Sequence, residues 1–216
     1  MNRNENFVIT INREVGSGGR TVGRKVAERL GVQFYDKAII RTLSEKFQLS
    51  EEAIEEMKGK SRHWWHDFKY AGTIGMGLIP TQFTETYGGE LGQPTSDMMF
   101  RVEKELLQGI ADDESCVIAG RCGFFVLRHH PNHVSVFIQA STDFRLERLV
   151  RKQNMTPEEA HKTIEKIDKM RENYVKKYCG TSRYDTRNYD LVLRADGKTE
   201  DELADIIMQY VNEKQA

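Results

Sequence analysis

The chain has 216 residues, 38% of them apolar and 30% charged, with 32 Lys and Arg against 33 Asp and Glu and a net charge of −1. That composition suits a folded domain with a charged surface and excludes a disordered chain. Balanced charge gives no reason to expect a nucleic-acid polymer or an anionic membrane as partner, so an anion site must come from local clustering of basic groups. No run of about 18 apolar residues is present, so no transmembrane helix is expected, and the polar stretch at residues 1–7 lacks the apolar core of a signal peptide. Cys116, Cys122 and Cys179 are few, odd in number and far apart. They make neither a disulfide framework nor a zinc set, and point to a reducing, cytoplasmic setting.

In chain order, Phe7-Val8-Ile9-Thr10-Ile11 reads as a buried strand. A glycine-rich turn follows. Val22, Val26 and Leu30 then recur at helical spacing over residues 21–30, and Gly31 ends that helix. Residues 32–35 read as a second strand. Asp36 is placed to cap a helix over about 37–47, and Ser50-Glu51-Glu52 to start another. Residues 61–94 hold six Gly, two Pro, both Trp and four further aromatics. This segment is either a set of short helices packed over a cleft or a mobile cover. Helical spacing returns at residues 96–110. Strands are expected at 116–119, 134–138 and 189–193. Helices are expected at 124–128, 142–152, 157–178 and 199–211. Thr156-Pro157-Glu158-Glu159 is a strong helix start, with a capping hydroxyl, Pro at the first helical position and acids in the first turn. Alternation of strands and helices predicts an α/β fold with a five-stranded, mostly parallel sheet flanked by helices. Ligands on such sheets bind beyond the carboxyl ends of the strands, so the residues after each strand are the candidates for function.

The first of these segments is Asn12-Arg13-Glu14-Val15-Gly16-Ser17-Gly18-Gly19-Arg20-Thr21. Strand, glycine-rich loop and helix together make a phosphate cradle, in which converging N–H groups and a helix N-terminus face the anion. Gly16, Ser17, Gly18, Gly19, Arg20 and Thr21 are therefore the candidate donor-phosphate residues. The full pattern ends Gly-Lys-Ser/Thr. Here Arg20 stands at the lysine and Glu14 at the first glycine. Arg20 offers a bidentate fork to phosphate, and Thr21 a hydroxyl to Mg²⁺. The plainer alternative is a tight turn with no ligand.

Several ordered stretches resemble the cytidylate kinase-like family of bacterial P-loop nucleoside monophosphate kinases. They are Arg13 to Arg20, Leu30-Gly31-Val32-Gln33-Phe34-Tyr35-Asp36-Lys37, Val117-Ile118-Ala119-Gly120-Arg121-Cys122, Ile167-Asp168-Lys169-Met170-Arg171-Glu172-Asn173-Tyr174 and Asn188-Tyr189-Asp190-Leu191. The resemblance spans roughly residues 7–212 and is weakest over 61–94. It implies a P-loop kinase fold in one domain over 1–216, with an acceptor-binding insertion at about 37–112 and a lid at about 154–185. It also implies ATP as donor with Mg²⁺. Asp36 and Arg41 match the positions that serve the acceptor monophosphate, Arg121 the position that contacts its base, and Asp168-x-x-Arg171 the lid pair for ribose and base. Cys122 stands where true cytidylate kinases have Asp.

Arg145, Arg148 and Arg151 recur at i, i+3, i+6 after the fourth strand. On spacing alone they form a solvated face pairing with Asp143 and Glu147. With the resemblance, Arg145 and Arg148 are expected at the donor phosphates and Arg171 closing from the lid. In the lid helix Ala160, Ile164, Ile167 and Met170 are expected to form the packing face. Trp64 and Trp65 read as hydrophobic cover, with base stacking or a homodimer contact as alternatives. His63 with His66, and His129, His130 and His133, read as ordinary histidines rather than metal ligands. Cys122 reads as a semi-buried small residue, with a reactive thiol as the alternative. The function expected is γ-phosphoryl transfer from ATP to a small acceptor, a nucleoside monophosphate such as CMP. The competing reading is a nucleotide-binding regulator that does not transfer.

Overall fold

The computed structural model describes residues 1–37, 40, 58, 63, 65–66 and 96–214. The chain divides into two compact units, Met1–Lys37 with Glu114–Ala216, and Ala38–Asp113. The second unit contributes one long described helix, α2 (Ser96–Asp113). In that unit the imidazole of His63 pairs with Asp113 at 2.8 Å, the N–H of His66 donates to the same carboxylate, and Trp65 is buried. Arg41, Trp64 and the two helices expected after Asp36 lie outside the described residues.

The first unit is a five-stranded sheet in the order β2-β3-β1-β4-β5, with every pairing parallel. The strands are β1 (Val8–Arg13), β2 (Gln33–Asp36), β3 (Cys116–Ala119), β4 (His133–Gln139) and β5 (Leu191–Arg194). β1 sits in the middle, and Val8 to Asn12 are all buried, as a strand covered on both faces must be. It runs two residues past the apolar stretch, because Asn12 and Arg13 keep register with Phe137 and Ile138 of β4. β5 starts later than expected. A 3₁₀ turn at Thr186–Asn188 precedes it, and the Asp190 carboxylate accepts from the backbone N–H and hydroxyl of Ser135.

Helix α1 (Gly19–Leu30) begins two residues earlier than its apolar spacing suggests. Gly18 precedes it at φ 85°, and Gly31 ends it at φ 66° with its N–H bonded to the carbonyls of Ala27 and Glu28. α3 (Gly123–Val126), α4 (Thr142–Gln153), α5 (Pro157–Cys179) and α6 (Glu200–Glu213) complete the unit. Thr156 with Glu159, and Thr199 with Glu202, form complete capping boxes at α5 and α6. α1 packs against α6 through Val22, Val26, Leu203, Ile207 and Val211, over one face of the sheet. α5 packs on α4 through Leu149, Ala160 and Ile164. Its buried face continues through Asp168, Val175 and Cys179, while Met170 is 54% exposed. A turn of 3.6 residues takes the stripe from Ile164 to residue 168 rather than to 170, so a carboxylate occupies the place expected for an apolar side chain.

The chain leaves β1 toward one edge of the sheet and β4 toward the other. The crevice beyond their carboxyl ends is therefore the topological switch point where α/β sheets hold ligands.

At the opposite end of β4, His133 is partly buried and its Nε2 lies 2.7 Å from the Thr10 hydroxyl. Burial lowers its pKa to about 4, outweighing the nearby Asp190 carboxylate. Between about pH 6.5 and pH 4 the unfolded chain takes up a proton that the folded one refuses. Stability from this group is full above about pH 6.5 and falls as acid is added, by up to about 3 kcal/mol at pH 4. Urea unfolding between pH 4 and 7 should show this loss, and His133→Gln should flatten that part of the profile.

Candidate functional site at the carboxyl ends of the strands

The loop between β1 and α1 is built so that its N–H groups stay available. Gly16 and Gly18 both have left-handed backbone, at φ 83° and 85°. The Ser17 hydroxyl donates to the Glu14 carbonyl at 2.9 Å, fixing the curl of the loop from within. Among the described residues the N–H groups of Gly16, Gly18, Gly19 and Arg20 donate no hydrogen bond. The last two belong to the first turn of α1, where no intrahelical acceptor exists. Four free N–H groups at a helix N-terminus suit an anion. Thr21, at the end of the loop, is exposed.

Helix α4 braces this loop from one side. A side chain on Gly16 would come within 2.8 Å of the Arg145 Cβ, and one on Gly18 within 3.3 Å of the Arg148 Nε. Arg145 is buried beneath the loop. It pairs with Asp168 and lies 3.6 Å from Glu14. Glu14 also accepts from the N–H of Ala140 at 3.0 Å. A carboxylate at the position of the usual first glycine thus joins the loop to the end of β4. Arg148 bonds Glu200 at 2.7 Å. Beside it a cavity of about 140 Å³ is lined by Ser17, Phe144, Arg148, Arg151, Lys198 and Thr199, among others. It adjoins the glycine loop through Ser17.

Asp168 is the junction of the site. One of its oxygens accepts from the Val15 N–H at 3.1 Å and from Arg183 at 3.2 Å, and the other binds Arg145. Arg171 stands 4.0 Å away. Both carboxylate oxygens are therefore engaged in holding α5, α4, the loop and the 181–185 turn together. The Arg183 side chain is fully buried. It donates to the Arg13 carbonyl, which also accepts from Arg171 at 3.1 Å. The Tyr189 hydroxyl donates to the Arg183 carbonyl at 2.8 Å and lies 2.6 Å from the Asn12 amide nitrogen. Burial and the neighbouring Arg183 hold the Arg171 pKa below its ordinary value. Among the described residues the buried Nε atoms of Arg145 and Arg183 have no hydrogen-bond partner. Unsatisfied buried donors are uncommon in folded proteins, and here two share one carboxylate.

Arg20 does not turn into the loop. Its Nε donates to Asp36 at 2.6 Å, joining the start of α1 to the end of β2. Two residues expected to serve different ligands are thus paired with each other. Beyond β3, Gly120, Arg121 and Cys122 are all left-handed, at φ 85°, 54° and 57°. For the two non-glycine residues this costs roughly 1–2 kcal/mol each, and such strain gathers at functional sites. The turn carries the Arg121 guanidinium to 5.3 Å from the Tyr174 ring centre on α5. Cys122 is buried, and its thiol pKa is raised by a hydrogen bond to Cys179 and by burial, so it stays protonated. Among the described residues no group of three His, Cys, Asp or Glu could hold a metal ion, and no helix is long and apolar enough to cross a membrane.

The structure gathers Gly16 to Thr21, Arg145, Arg148, Asp168 and Arg171 around one loop, with Arg20 and Asp36 paired at its flank. Sequence reasoning missed Arg183 and Arg13 as members. Arg183 lies in a polar turn with no spacing signal, and Arg13 was visible only as part of the loop motif. Removing the Asp168 charge leaves buried Arg183 without its carboxylate and Arg145 with Glu14 alone. Asp168→Asn should lower unfolding free energy by about 3–5 kcal/mol, measured by urea titration. Glu158→Gln, which breaks the exposed pair with Lys162 on the same helix, should cost about 1 kcal/mol or less.

Residues 8–196 match the model of the cytidylate kinase-like family. A protein of Methanopyrus kandleri described as cytidylate kinase is 22% identical over 214 residues, covering 95% of this chain and 93% of that protein. Among solved structures, an uncharacterized protein from Eubacterium ventriosum superposes with a TM-score of 0.69 at 22% identity, covering 96% of this chain and 99% of that one. A gluconokinase from Sinorhizobium meliloti gives 0.50 at 14% identity, covering 96% and 92%. The fold is that of the P-loop kinases, and the chain belongs to the cytidylate kinase-like family.

Proposed function

We propose that the chain transfers the γ-phosphoryl group of ATP to a nucleoside monophosphate such as CMP. The observation that carries this reading is the set of four uncommitted N–H groups at residues 16–20, facing the same end of the sheet as a cluster of guanidinium groups. The family match and the relative described as cytidylate kinase support it.

The donor's triphosphate lies along residues 16–21, with Arg148 beside Gly18 and the adjoining cavity taking the nucleoside end. Arg148 then exchanges Glu200 for phosphate oxygens. Thr21 is exposed at the end of the loop and suits a place in the Mg²⁺ shell, completed by phosphate oxygens and water. The ion, when bound, offsets charge on the phosphates. Arg121 and Arg171 hold the acceptor. Arg41, outside the described residues, is assigned to its phosphate by the family pattern alone. Asp168, with both oxygens engaged, positions Arg145 and Arg183 rather than a ribose. An oxygen of the acceptor phosphate forms a bond to the γ-phosphorus, and the bond from that phosphorus to the bridging oxygen breaks. The electron pair leaves with ADP. An acceptor phosphate dianion attacks without losing a proton, so the step needs charge neutralisation and alignment more than a base.

The second reading is a nucleotide-binding regulator that does not transfer. It draws on Arg20, which stands where lysine is usual and is committed to Asp36.

The test is an ADP-release assay with Mg–ATP across nucleoside monophosphates, nucleosides and hydroxy acids. A nucleoside monophosphate should give turnover above the no-acceptor blank, and Arg171→Ala should reduce it about 100-fold or more. Arg20→Ala should cost less, because Arg20 faces Asp36. Thermal protection by Mg–ATP with no acceptor giving ADP would favour the regulator.

A further inference from the structure

Arg13 is the last residue of β1, and its side chain is laid along a track cleared by two glycines. A Cβ on Gly19 would approach the Arg13 Cβ to 2.6 Å and its Cγ to 3.0 Å, so the stem passes directly over the first residue of α1. A Cβ on Gly120 would overlap Nη1 of Arg13, so the guanidinium reaches the end of β3. β1 and β3 are neighbours in the sheet, and the guanidinium therefore lies across their carboxyl ends. Among the described residues it makes no hydrogen bond or ion pair. Its surroundings are unfavourable: burial and the neighbouring Arg171 and Arg183 push its pKa down to about 9, with Asp36 partly opposing them. It is still charged at neutral pH.

A cation under such repulsion is costly unless something negative comes to it. Among the described residues, Arg13, Arg20, Arg145, Arg171 and Arg183 share this region with Glu14, Asp36 and Asp168, an excess of two positive charges. The backbone carbonyl of Arg13 anchors Arg171 and Arg183, which fixes the residue from which the free guanidinium departs. Arg20, at the usual lysine position, is occupied with Asp36.

We propose that Arg13 binds the outermost phosphate of the nucleoside triphosphate, taking the charge role that the lysine of a standard phosphate loop would have. This rests on the kinase reading above and adds to it one residue and one specificity: preference for a triphosphate over a diphosphate. The guanidinium lies beyond the glycine loop, toward β3, so it meets the last phosphate and not the ones held by the loop N–H groups.

The test compares wild type, Arg13→Met and Arg13→Lys by calorimetric titration with Mg–ATP and with Mg–ADP, and by thermal unfolding without nucleotide. Arg13→Met should weaken ATP binding about 10-fold or more and ADP binding less than about 3-fold. Arg13→Lys should restore part of the loss. Without nucleotide, Arg13→Met should unfold at the same or a higher temperature than wild type, because a repelled cation has been removed. A structural brace would show the reverse, with lower unfolding temperature and equal losses for both nucleotides, and that result overturns the proposal. So does an unchanged ATP-to-ADP ratio in a variant that binds. If wild type itself binds neither nucleotide, the kinase reading fails and takes this assignment with it.

Discussion

The geometry of the site depends on one buried carboxylate. Asp168 lies on the inner face of α5 and holds Val15 of the glycine loop, Arg145 of α4 and Arg183 of the turn after α5. None of these segments would keep its position alone. The loop has two left-handed glycines and little internal bonding, and two buried guanidinium groups beside it would repel each other without a shared counter-ion. A buried ion pair is weak evidence of net stability, because desolvation offsets much of the attraction. Its value here is positional. It ties the loop at Val15 to α5 and sets Arg145 and Arg183 beside it.

From that constraint the division of labour among the arginines follows. Arg145 and Arg183 are engaged below the loop and act as supports. Arg20 is engaged with Asp36, and Arg148 with Glu200 on the wall of the cavity beside the loop. Arg121 rests near an aromatic ring at the end of a strained turn. Positive charge is therefore in excess around the glycine loop among the described residues, and on the proposed function it would offset the charge of two anionic partners.

The scaffold was legible because its signals are local. Buried strands show as β-rich apolar runs, and Thr156-Pro157 with Glu159 announces α5 within four residues. The loop was legible because glycine spacing reports backbone conformation directly. The wiring of the site was not. Asp168 sits in a helix so rich in Lys and Glu that its apolar stripe reads as continuing to Met170, and only the turn-by-turn geometry puts the acid inside. The pairing of Arg20 with Asp36 joins residues sixteen apart, and that of Asp168 with Val15 joins residues 153 apart. No periodicity connects them. Arg183, the most deeply buried charge among the described residues, lies in a turn whose sequence looks solvent-facing.

On the proposed function, the N–H groups of the loop are kept free to receive a polyphosphate. Amide NMR of ¹⁵N-labelled protein titrated with Mg–ATP tests it most directly. The account predicts saturable shifts at Gly16, Gly18, Gly19 and Arg20, with Gly31, Gly180 and Gly197 unmoved. Saturable shifts that bypass the loop amides, or a spectrum unaltered by nucleotide, would contradict it.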